Sequence, residues 1–449
     1  MIRYRPAMRM ASGIVMLVPA LAAGQETEAR LSLLEAVERA LAVSPALDAG
    51  RAGVRGARAE SDIAKAARLP RVSAEATATR FGEPMIVAPL HGFDPGALPL
   101  FDRTLLQGYV AVGYTAWDGG ARGARIAAAL AEADAAAANA ETVRSRVIAE
   151  TVGAYLEVQS AAQVVAAQDA RMAAVERERE RAQRFEGAGR AARVDVLRAE
   201  AAAARSRAER IDAVASLRAA ERALARLLGA DGALGMAGVA PVTAAPGGLP
   251  ERAALLEQAG AANTELRRLS AQVAARRALL AEARSQWWPR VQLSGRWVEY
   301  ASADGHESAE WQGGVALSYP IFTGGARSAG IERADAGAAL AEARLREAEL
   351  RVGDAIDRTL AALESARARS TALEAAVAQA GEVARIERLS LDAGAGTQSD
   401  YLLAEAELLE VRTALVQARH LEVVARVELA RLTGRLTADW IAENLEPGP

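Results

Sequence analysis

The stretch GYTAWDGGARGARI at residues 113–126 has a second copy, LSYPIFTGGARSAGI, at residues 317–331. In both copies an aromatic segment leads through Gly-Gly-Ala-Arg into a long alanine-rich run. The double glycines begin at Gly119 and Gly324, which are 205 positions apart. The same offset relates three further pairs: Gly189 with Gly394, Asp195 with Asp400, and Gly229 with Gly434. A period this long excludes a solenoid built from units of about 20 to 50 residues. It predicts a chain duplicated into two similar halves.

The two halves differ in spacing upstream of the double glycine. Pro70-Arg71-Val72 matches Pro289-Arg290-Val291 at an offset of 219, so the first half carries 14 extra residues in this segment. Loops tolerate insertions better than strands or helices do. We therefore expect the extra residues, around 84–99, to form an outward loop between two strands.

The N-terminus has the pattern of a secretory signal peptide. Arg3, Arg5 and Arg9 precede an apolar run over residues 11–21, and Ala20-Leu21-Ala22 has the form of a cleavage site. The run is shorter than the roughly 20 residues that a membrane-spanning helix needs. We assign residues 1–22 to the signal peptide, 23–249 to a first repeat, 250–436 to a second repeat and 437–449 to a C-terminal tail.

The composition argues against several classes of function. The sequence has no cysteine, which excludes disulfides and thiolate metal ligands. Its 54 basic and 57 acidic residues are interleaved, so nucleic acid is not an expected partner. The histidines lack the spacing of a metal-binding helix and are expected at the surface: His91, His306 and His420. No nucleophile elbow, phosphate loop or metal cluster is present, so we expect no enzyme, cofactor or metal site.

Each half has the same predicted order of a helical stretch, a β-hairpin and a long helical hairpin. The β-hairpins are expected at about 70–118 and 289–323, and the helical hairpins at about 121–228 and 326–433. Proline-free runs of about 60 residues would form helices of roughly 90 Å. Apolar residues in these runs keep coiled-coil spacing, as at Val352, Ile356, Leu360 and Leu363. The alternating charges at 176–181 are interpreted as a solvated face.

The segments between the helices alternate with a period of two, which is typical of strands with one apolar and one polar face. Apolar residues recur 205 positions apart, at Val110, Val112 and Tyr114 and at Val315, Leu317 and Tyr319. Of the 18 aromatic residues, 13 lie within 70–122 or 284–327. Such clustering suits the interfacial girdles of a membrane β-barrel. The alternative is that the aromatic residues form the core of a small β-domain.

After the signal peptide no segment is long and apolar enough for a transmembrane helix, so a membrane-spanning form requires a closed barrel. Four strands cannot close one, because bacterial barrels have eight or more. Two copies of the chain would supply eight strands and three copies twelve. The helical hairpins would continue such a barrel as a ring of coiled coils on the periplasmic side.

Together these features resemble the TolC family of outer membrane efflux proteins over residues 31–436. One motif is a glycine followed six positions later by aspartate, in Gly189-x5-Asp195 and Gly394-x5-Asp400; the other is aromatic-x-Gly-Gly, at 117–120 and 322–325. The resemblance implies a homotrimer that is mainly α, with a 12-stranded outer membrane β-barrel continued by an α-helical coiled-coil barrel. It also implies a passive duct of a tripartite efflux or type I secretion system in a Gram-negative bacterium.

The resemblance further implies docking to a periplasmic adaptor, or membrane fusion protein, and an inner-membrane pump. It places the hairpin tips that meet the adaptor at Gly187, Gly189, Gly394 and Gly396. It places the periplasmic gate at Asp195 and Asp400. A threefold ring of Asp400 carboxylates would favour cations. The alternative is that both aspartates cap the returning helices by accepting backbone N–H bonds.

The sequence departs from the best-known family member near the second tip. Leu391 and Gly396 stand where that member has a tyrosine and an arginine that help to hold the mouth shut. We therefore hypothesise a gate held mainly by coiled-coil packing. The apolar strand residues that would face lipid are Val110, Val112, Tyr114, Val315, Leu317 and Tyr319. The main alternative function is a soluble periplasmic coiled-coil scaffold, which predicts a product that needs no detergent.

Overall fold

A computed structural model of the chain describes residues 30–86, 100–101, 103–230, 238–303, 305 and 307–447. The expected signal peptide lies outside the described residues, as do His91, His306 and most of the loop expected around 84–99. The described chain is mostly helical with a small antiparallel sheet, as the sequence predicts.

The main elements follow the same order in both halves. The first half contains α1 (Leu33–Val43), α2 (Pro45–Ala66), β1 (Arg71–Arg80), β2 (Met85–Ile86), β3 (Leu100–Phe101), β4 (Thr104–Trp117), α3 (Ala121–Gly187) and α4 (Arg193–Leu227). The second contains β5 (Val242–Ala244), α5 (Arg252–Ala262), α6 (Thr264–Ser285), β6 (Arg290–Ser302), β7 (Glu307–Ser318), α7 (Ala326–Asp392), α8 (Gln398–Leu432), α9 (Ala438–Asn444) and β8 (Leu445–Pro447). Both α3 and α7 have 67 residues, and both α4 and α8 have 35.

Four strands form one antiparallel sheet in the order β1-β4-β6-β7, so that β1 and β7 lie at its edges. Val110 is opposite Trp297, and Trp297 is opposite Trp311. Residues directly opposite each other share a face of the sheet. The predicted alternation of apolar and polar residues is thus confirmed across three strands.

The double glycines join strand to helix by a left-handed turn. Gly119 and Gly120 have φ values of 65° and 91°, and Gly324 and Gly325 have 58° and 86°. Residues with a side chain rarely adopt this conformation. At Gly119 a Cβ atom would also lie 2.5 Å from the Cβ of Trp288. The repeated motif therefore marks the bend from strand to helix, as expected.

The long helices pack by the predicted apolar stripes. Ile356 and Leu363 on α7 are buried against Leu255 on α5 and Leu429 on α8, with Val352 and Leu360 beside them. In the first half, α3 packs against α2 and α4 and also against α6 and α8 of the second half. Among the helices that the structure describes, none is long and apolar enough to cross a membrane.

The largest apolar core lies near the middle of the long helices, around Tyr155 on α3. The Tyr155 hydroxyl lies 2.8 Å from the carbonyl oxygen of Leu31 and 2.7 Å from that of Ala240. Within the expected tail, residues 438–447 form α9 and β8, and β8 pairs with β5. Ile441 on α9 is buried in this core. Elements of seven and three residues are too short to show a sequence period.

Candidate functional site

The two helical hairpins turn by the same backbone geometry. After α3, Gly189 has φ 70° and the N–H of Arg190 donates to the carbonyl oxygen of Phe185 at 2.8 Å. After α7, Gly394 has φ 76° and the N–H of Ala395 donates to the carbonyl oxygen of Ser390 at 2.9 Å. This six-to-one bond with a left-handed glycine is the Schellman motif. The left-handed turns at Gly189 and Gly394 therefore end the two long helices.

The other two tip glycines have different roles in the backbone. Gly187 is the last residue of α3, and the space around its Cα is open. At Gly396 an added Cβ atom would lie 2.9 Å from the Cβ of Ser390. The N–H of Gly396 donates to the carbonyl oxygen of Ser390 at 3.0 Å. Neither has a positive φ. Each tip therefore takes its left-handed turn at a single glycine, Gly189 in the first hairpin and Gly394 in the second.

The two aspartates expected at the gate lie in the first turns of the returning helices. Asp195 is the third residue of α4 and lies 3.8 Å from the guanidinium of Arg198. Asp400 is the third residue of α8, and its carboxylate accepts the hydroxyl of Thr397 at 2.6 Å. The Thr397 hydroxyl oxygen in turn accepts the N–H of Asp400. Thr397 therefore caps α8, which corrects the alternative that Asp400 is itself the cap.

A set of polar contacts, here called the inter-hairpin link, joins the first hairpin to the second near their tips. Arg181 on α3 donates to the carbonyl oxygen of Leu391 and lies 3.8 Å from the carboxylate of Asp392. Glu178, which is only 5% exposed, accepts the side-chain amide of Gln398 at 2.9 Å and lies 3.4 Å from Arg181. The link thus connects α3 to the end of α7 and the start of α8.

An apolar cluster lies beside the inter-hairpin link. Ala174 on α3, Leu391 on α7 and Tyr401 on α8 are buried together, with Leu402 packed against them. Burial raises the pKa of the Tyr401 hydroxyl above its ordinary value. The neutral phenol therefore belongs to the packed cluster. Packing and polar contacts together hold the two hairpins at this level.

The inter-hairpin link corrects the interpretation of residues 176–181 as a solvated face at Glu178 and Arg181, whereas Arg177 and Glu180 are exposed as that interpretation predicts. Glu178 and Arg181 lie four and seven positions after Ala174, so all three share one side of α3. That side is covered by the second hairpin. The signal available in the sequence is this spacing from an apolar residue, which the regular alternation of charge conceals.

The apolar residues expected to face lipid all lie exposed on one face of the sheet or directly after it. Their exposed fractions run from 36% for Tyr114 to 72% for Val315. Tyr114 is opposite Leu293, which is opposite Val315, so the face is continuous. The opposite face is polar, with a hollow lined by residues that include Arg71, Ser73, Ser294, Arg296 and Gln312.

Aromatic residues cluster where the strands meet the helices. The rings of Trp117 and Trp288 contact edge to face at a centroid distance of 5.9 Å. The guanidinium of Arg327, in the second Gly-Gly-Ala-Arg, lies 4.3 Å from the ring centre of Trp287. Such pairs stabilise the strand-to-helix bend through ring and cation–π contacts.

His420, expected at the surface, instead lines a cavity of about 350 Å³ between α3, α7, α8 and β5. The side chain is partly buried, and its Nδ1 has no hydrogen-bond partner among the described residues. Glu374 and Arg419, also on the cavity wall, form an ion pair at 2.8 Å. The cavity lies at the level of the central core and away from the hairpin tips.

Comparison with known proteins identifies the family to which a chain of this architecture belongs. A profile of the family described as outer membrane efflux protein matches residues 36–230 and 255–435. Protein CyaE of Bordetella pertussis is 31% identical over 429 residues, which cover 90% of this chain and 85% of CyaE. The matched residues thus extend over both halves of the chain.

Solved structures share the fold at lower identity. The outer membrane protein VceC of Vibrio cholerae is 22% identical, with a TM-score of 0.74 over 90% of this chain and 96% of VceC. The CmeC outer membrane channel of Campylobacter jejuni is 15% identical, with a TM-score of 0.74 over 98% of this chain and 97% of CmeC. The chain is therefore a member of the outer membrane efflux protein family and not an enzyme.

Proposed function

We propose that the chain is the outer membrane channel of a tripartite efflux or type I secretion system and works as a trimer. The observation that carries this proposal is the four-stranded sheet, which has one exposed apolar face and continues directly into helices of 67 residues. Helices of that length extend about 100 Å. A sheet that spans the membrane and helices that extend through the periplasm would together form a duct.

The two faces of the sheet fit lipid on one side and water on the other. Val315 and Leu317 are 72% and 70% exposed, and such a surface is favourable against hydrocarbon but not against water. Arg296 and Gln312 on the opposite face would line an aqueous pore. In hydrocarbon the edge strands β1 and β7 need partners. Pairing β7 of one copy with β1 of the next closes a 12-stranded barrel from three copies.

The hairpin tips would form the periplasmic mouth. In a trimer Asp195 and Asp400 would each occur three times around the axis, and the carboxylates of Asp400 would attract cations. The inter-hairpin link and the Tyr401 cluster would hold the mouth closed. This extends the hypothesis of a gate held mainly by packing, because Arg181 and Glu178 add charged hydrogen bonds to it.

The remaining parts of the proposal concern location and partners. The mature chain would lie in the outer membrane of a Gram-negative bacterium, with its helices in the periplasm. The glycine turns at Gly187, Gly189, Gly394 and Gly396 would meet a periplasmic adaptor coupled to an inner-membrane pump. The duct is passive and needs no cofactor, so the pump would select the cargo.

Planar-bilayer conductance of the protein extracted in detergent tests this function. We expect discrete, long-lived and cation-preferring steps from a trimer. A protein that remains in the aqueous fraction and gives no steps would contradict the channel and favour the soluble scaffold.

Two adjacent residues on β7 provide a matched pair of variants. Trp311 lies on the apolar face and Gln312 on the polar face. Trp311→Arg places a charge in lipid, which costs about 2–4 kcal/mol near the middle of the bilayer, so we expect little membrane insertion. Gln312→Arg should still insert and should weaken cation preference. Equal insertion of both variants would contradict the assignment of the two faces.

A further inference from the structure

The polar face of the sheet contains a hollow of about 540 Å³, here called the basic hollow. Small residues open it, Ala111 and Gly113 on β4 and Gly314 on β7. Among the described residues that line it, the charged ones are both arginine, Arg71 on β1 and Arg296 on β6. The other polar side chains of its wall are Ser73, Ser294 and Gln312. The hollow thus combines two positive charges with neutral hydrogen-bonding groups.

Comparison of the two β-hairpins shows how the space arises. Ser294 on β6 is opposite Gly314 on β7. By the internal offsets of 219 and 205, their counterparts in the first half are Glu75 and Tyr109, which are opposite each other on β1 and β4. There the Tyr109 hydroxyl donates to the Glu75 carboxylate, and the two side chains cover the surface. Serine and glycine leave the equivalent surface open in the second half.

The Arg296 guanidinium is held in place at the hollow but is not neutralised there. It lies 3.9 Å from the centre of the Tyr109 ring, which is a cation–π contact. The hydrogen bond from Tyr109 to Glu75 fixes that ring. The Nε of Arg296 is buried and has no hydrogen-bond partner within the part of the chain that the structure describes. Because a buried donor without a partner is costly, an anionic oxygen beside this guanidinium would be favourable.

The carboxylates of the same face lie beyond the basic hollow. Glu310 precedes Gln312 by two residues on β7 and is opposite Val298. Residues two apart on a strand are about 7 Å apart. Glu75 already accepts the Tyr109 hydroxyl, and neither glutamate lines the hollow. The two arginines therefore determine the sign of the charge at this level of the sheet.

We propose that the basic hollow binds an anionic oxygen group, a carboxylate or a phosphate, of a small molecule that passes through the barrel. A guanidinium can donate two parallel hydrogen bonds to either group. The hydroxyls of Ser73 and Ser294 and the amide of Gln312 add neutral donors. The inference rests on the proposed channel, in which this face is the wall of the pore and a trimer has three such sites. It goes further by giving the barrel a preference opposite in sign to that of the Asp400 carboxylates.

Isothermal titration calorimetry of the full chain in neutral detergent at low ionic strength tests the site, with citrate and pyrophosphate as probes. We expect saturable binding with one site per chain. Arg296→Gln removes the charge but keeps a polar side chain. It should raise the Kd roughly tenfold, which corresponds to the loss of one charge-assisted hydrogen bond. Arg71→Gln should have a similar effect. Tighter binding of citrate would identify the group as a carboxylate, and tighter binding of pyrophosphate would identify it as a phosphate.

Arg290→Gln is the matched control for charge. Arg290 belongs to the same strand and the same face as Arg296, but it is opposite Ser318 and does not line the hollow. Its replacement should leave the Kd unchanged. Equal weakening by Arg290→Gln and Arg296→Gln would show a general attraction of anions to a positive surface and would overturn the proposed site. Absence of saturable binding of both probes to the unmodified trimer would also overturn it.

A second variant fills the hollow without changing any charge. Gly314→Tyr introduces the residue that the first hairpin has at the equivalent position. An added Cβ atom at Gly314 would lie 3.9 Å from the Oγ of Ser294, so the backbone has room for a side chain. We expect this variant to assemble as the unmodified protein does and to lose the binding of both probes. Unchanged binding in an assembled Gly314→Tyr trimer would contradict the proposed site.

The reversal potential in a salt gradient separates failure of the site from failure of the channel. In a trimer, Arg296→Gln removes three positive charges from the pore wall, so cation preference should rise. Binding that depends on Arg296 together with an unchanged reversal potential would place the hollow outside a pore and overturn the proposed channel. A conducting trimer that binds neither probe would overturn the site and leave the channel intact.

Discussion

Arg181 on α3 donates a hydrogen bond to the carbonyl oxygen of Leu391 in the last turn of α7. The two residues lie in different halves of the chain, 210 positions apart. The carbonyl end of a helix carries a partial negative charge, so a guanidinium there is favourable. Leu391 is also the position at which the best-known family member has a tyrosine. The main-chain oxygen of Leu391 thus adds a polar contact between the hairpins to the apolar packing of its side chain with Ala174 and Tyr401.

Removal of the Arg181 guanidinium should open the proposed mouth. Arg181→Leu keeps an apolar stem but leaves the buried carboxylate of Glu178 without its arginine, which destabilises the closed arrangement. We expect a higher resting conductance in planar bilayers than the unmodified channel has. Arg184→Leu, an exposed arginine one turn further along α3, should leave conductance unchanged. Equal effects of the two variants would show that general charge, and not the inter-hairpin link, controls the mouth.

Neutralising Asp400 tests the proposed carboxylate ring. Asp400→Asn removes three negative charges from the mouth of a trimer while retaining an oxygen that can accept the Thr397 hydroxyl. Cation preference, measured as the reversal potential in a salt gradient, should fall. Asp212→Asn makes the same change of charge at an exposed site within α4 and should have little effect. An unchanged reversal potential together with an unchanged closed-state conductance in Asp400→Asn would refute the ring.

Sequence patterns predicted the elements that repeat and have a clear period. The double glycines at Gly119 and Gly324 were expected at strand-to-helix bends, and their left-handed conformation confirms this. Period-two alternation predicted the strands, because side chains on a sheet alternate between its faces. Ile356 and Leu363 were expected on a packed stripe and are buried.

The contacts between hairpins could not be predicted in the same way. Arg181 lies in a run of alternating charges that is usual on solvated helices, and its acceptor is a main-chain oxygen that no residue type identifies. The pairing of β5 with β8 joins segments of three residues each, which is shorter than a recognisable period. Both features depend on how distant segments pack, which local pattern does not encode.

The two glycines at the first tip should respond in opposite ways to alanine. Gly189→Ala forces an alanine into φ 70°, which costs roughly 1–2 kcal/mol. Gly187→Ala lies in a helix with open space around it and should gain up to about 1 kcal/mol from higher helix propensity. Thermal unfolding measured by circular dichroism should therefore show a lower midpoint for Gly189→Ala only. Equal destabilisation by both changes would contradict the turn geometry.

Tyr155 should make the stability of the central core depend on alkaline pH. Burial raises the pKa of its hydroxyl above the ordinary value, which is about 10 for tyrosine. The folded state therefore keeps the neutral phenol, whereas the unfolded chain ionises above pH of about 10. The contribution of Tyr155 to the free energy of unfolding is fully present below a pH of about 10. It falls as the pH rises further, because ionisation stabilises only the unfolded chain.

Comparison with Tyr155→Phe isolates this effect. At neutral pH the variant should lose about 1–2 kcal/mol, because the carbonyl oxygens of Leu31 and Ala240 lose the hydroxyl. Phenylalanine does not ionise, so the difference in unfolding free energy should shrink as the pH rises above about 10. Leu224→Ala changes a fully buried, uncharged residue of the same core. Its loss of unfolding free energy should stay constant across that pH range. Denaturant titrations at several pH values measure both, and a constant difference for Tyr155→Phe would contradict a buried neutral hydroxyl.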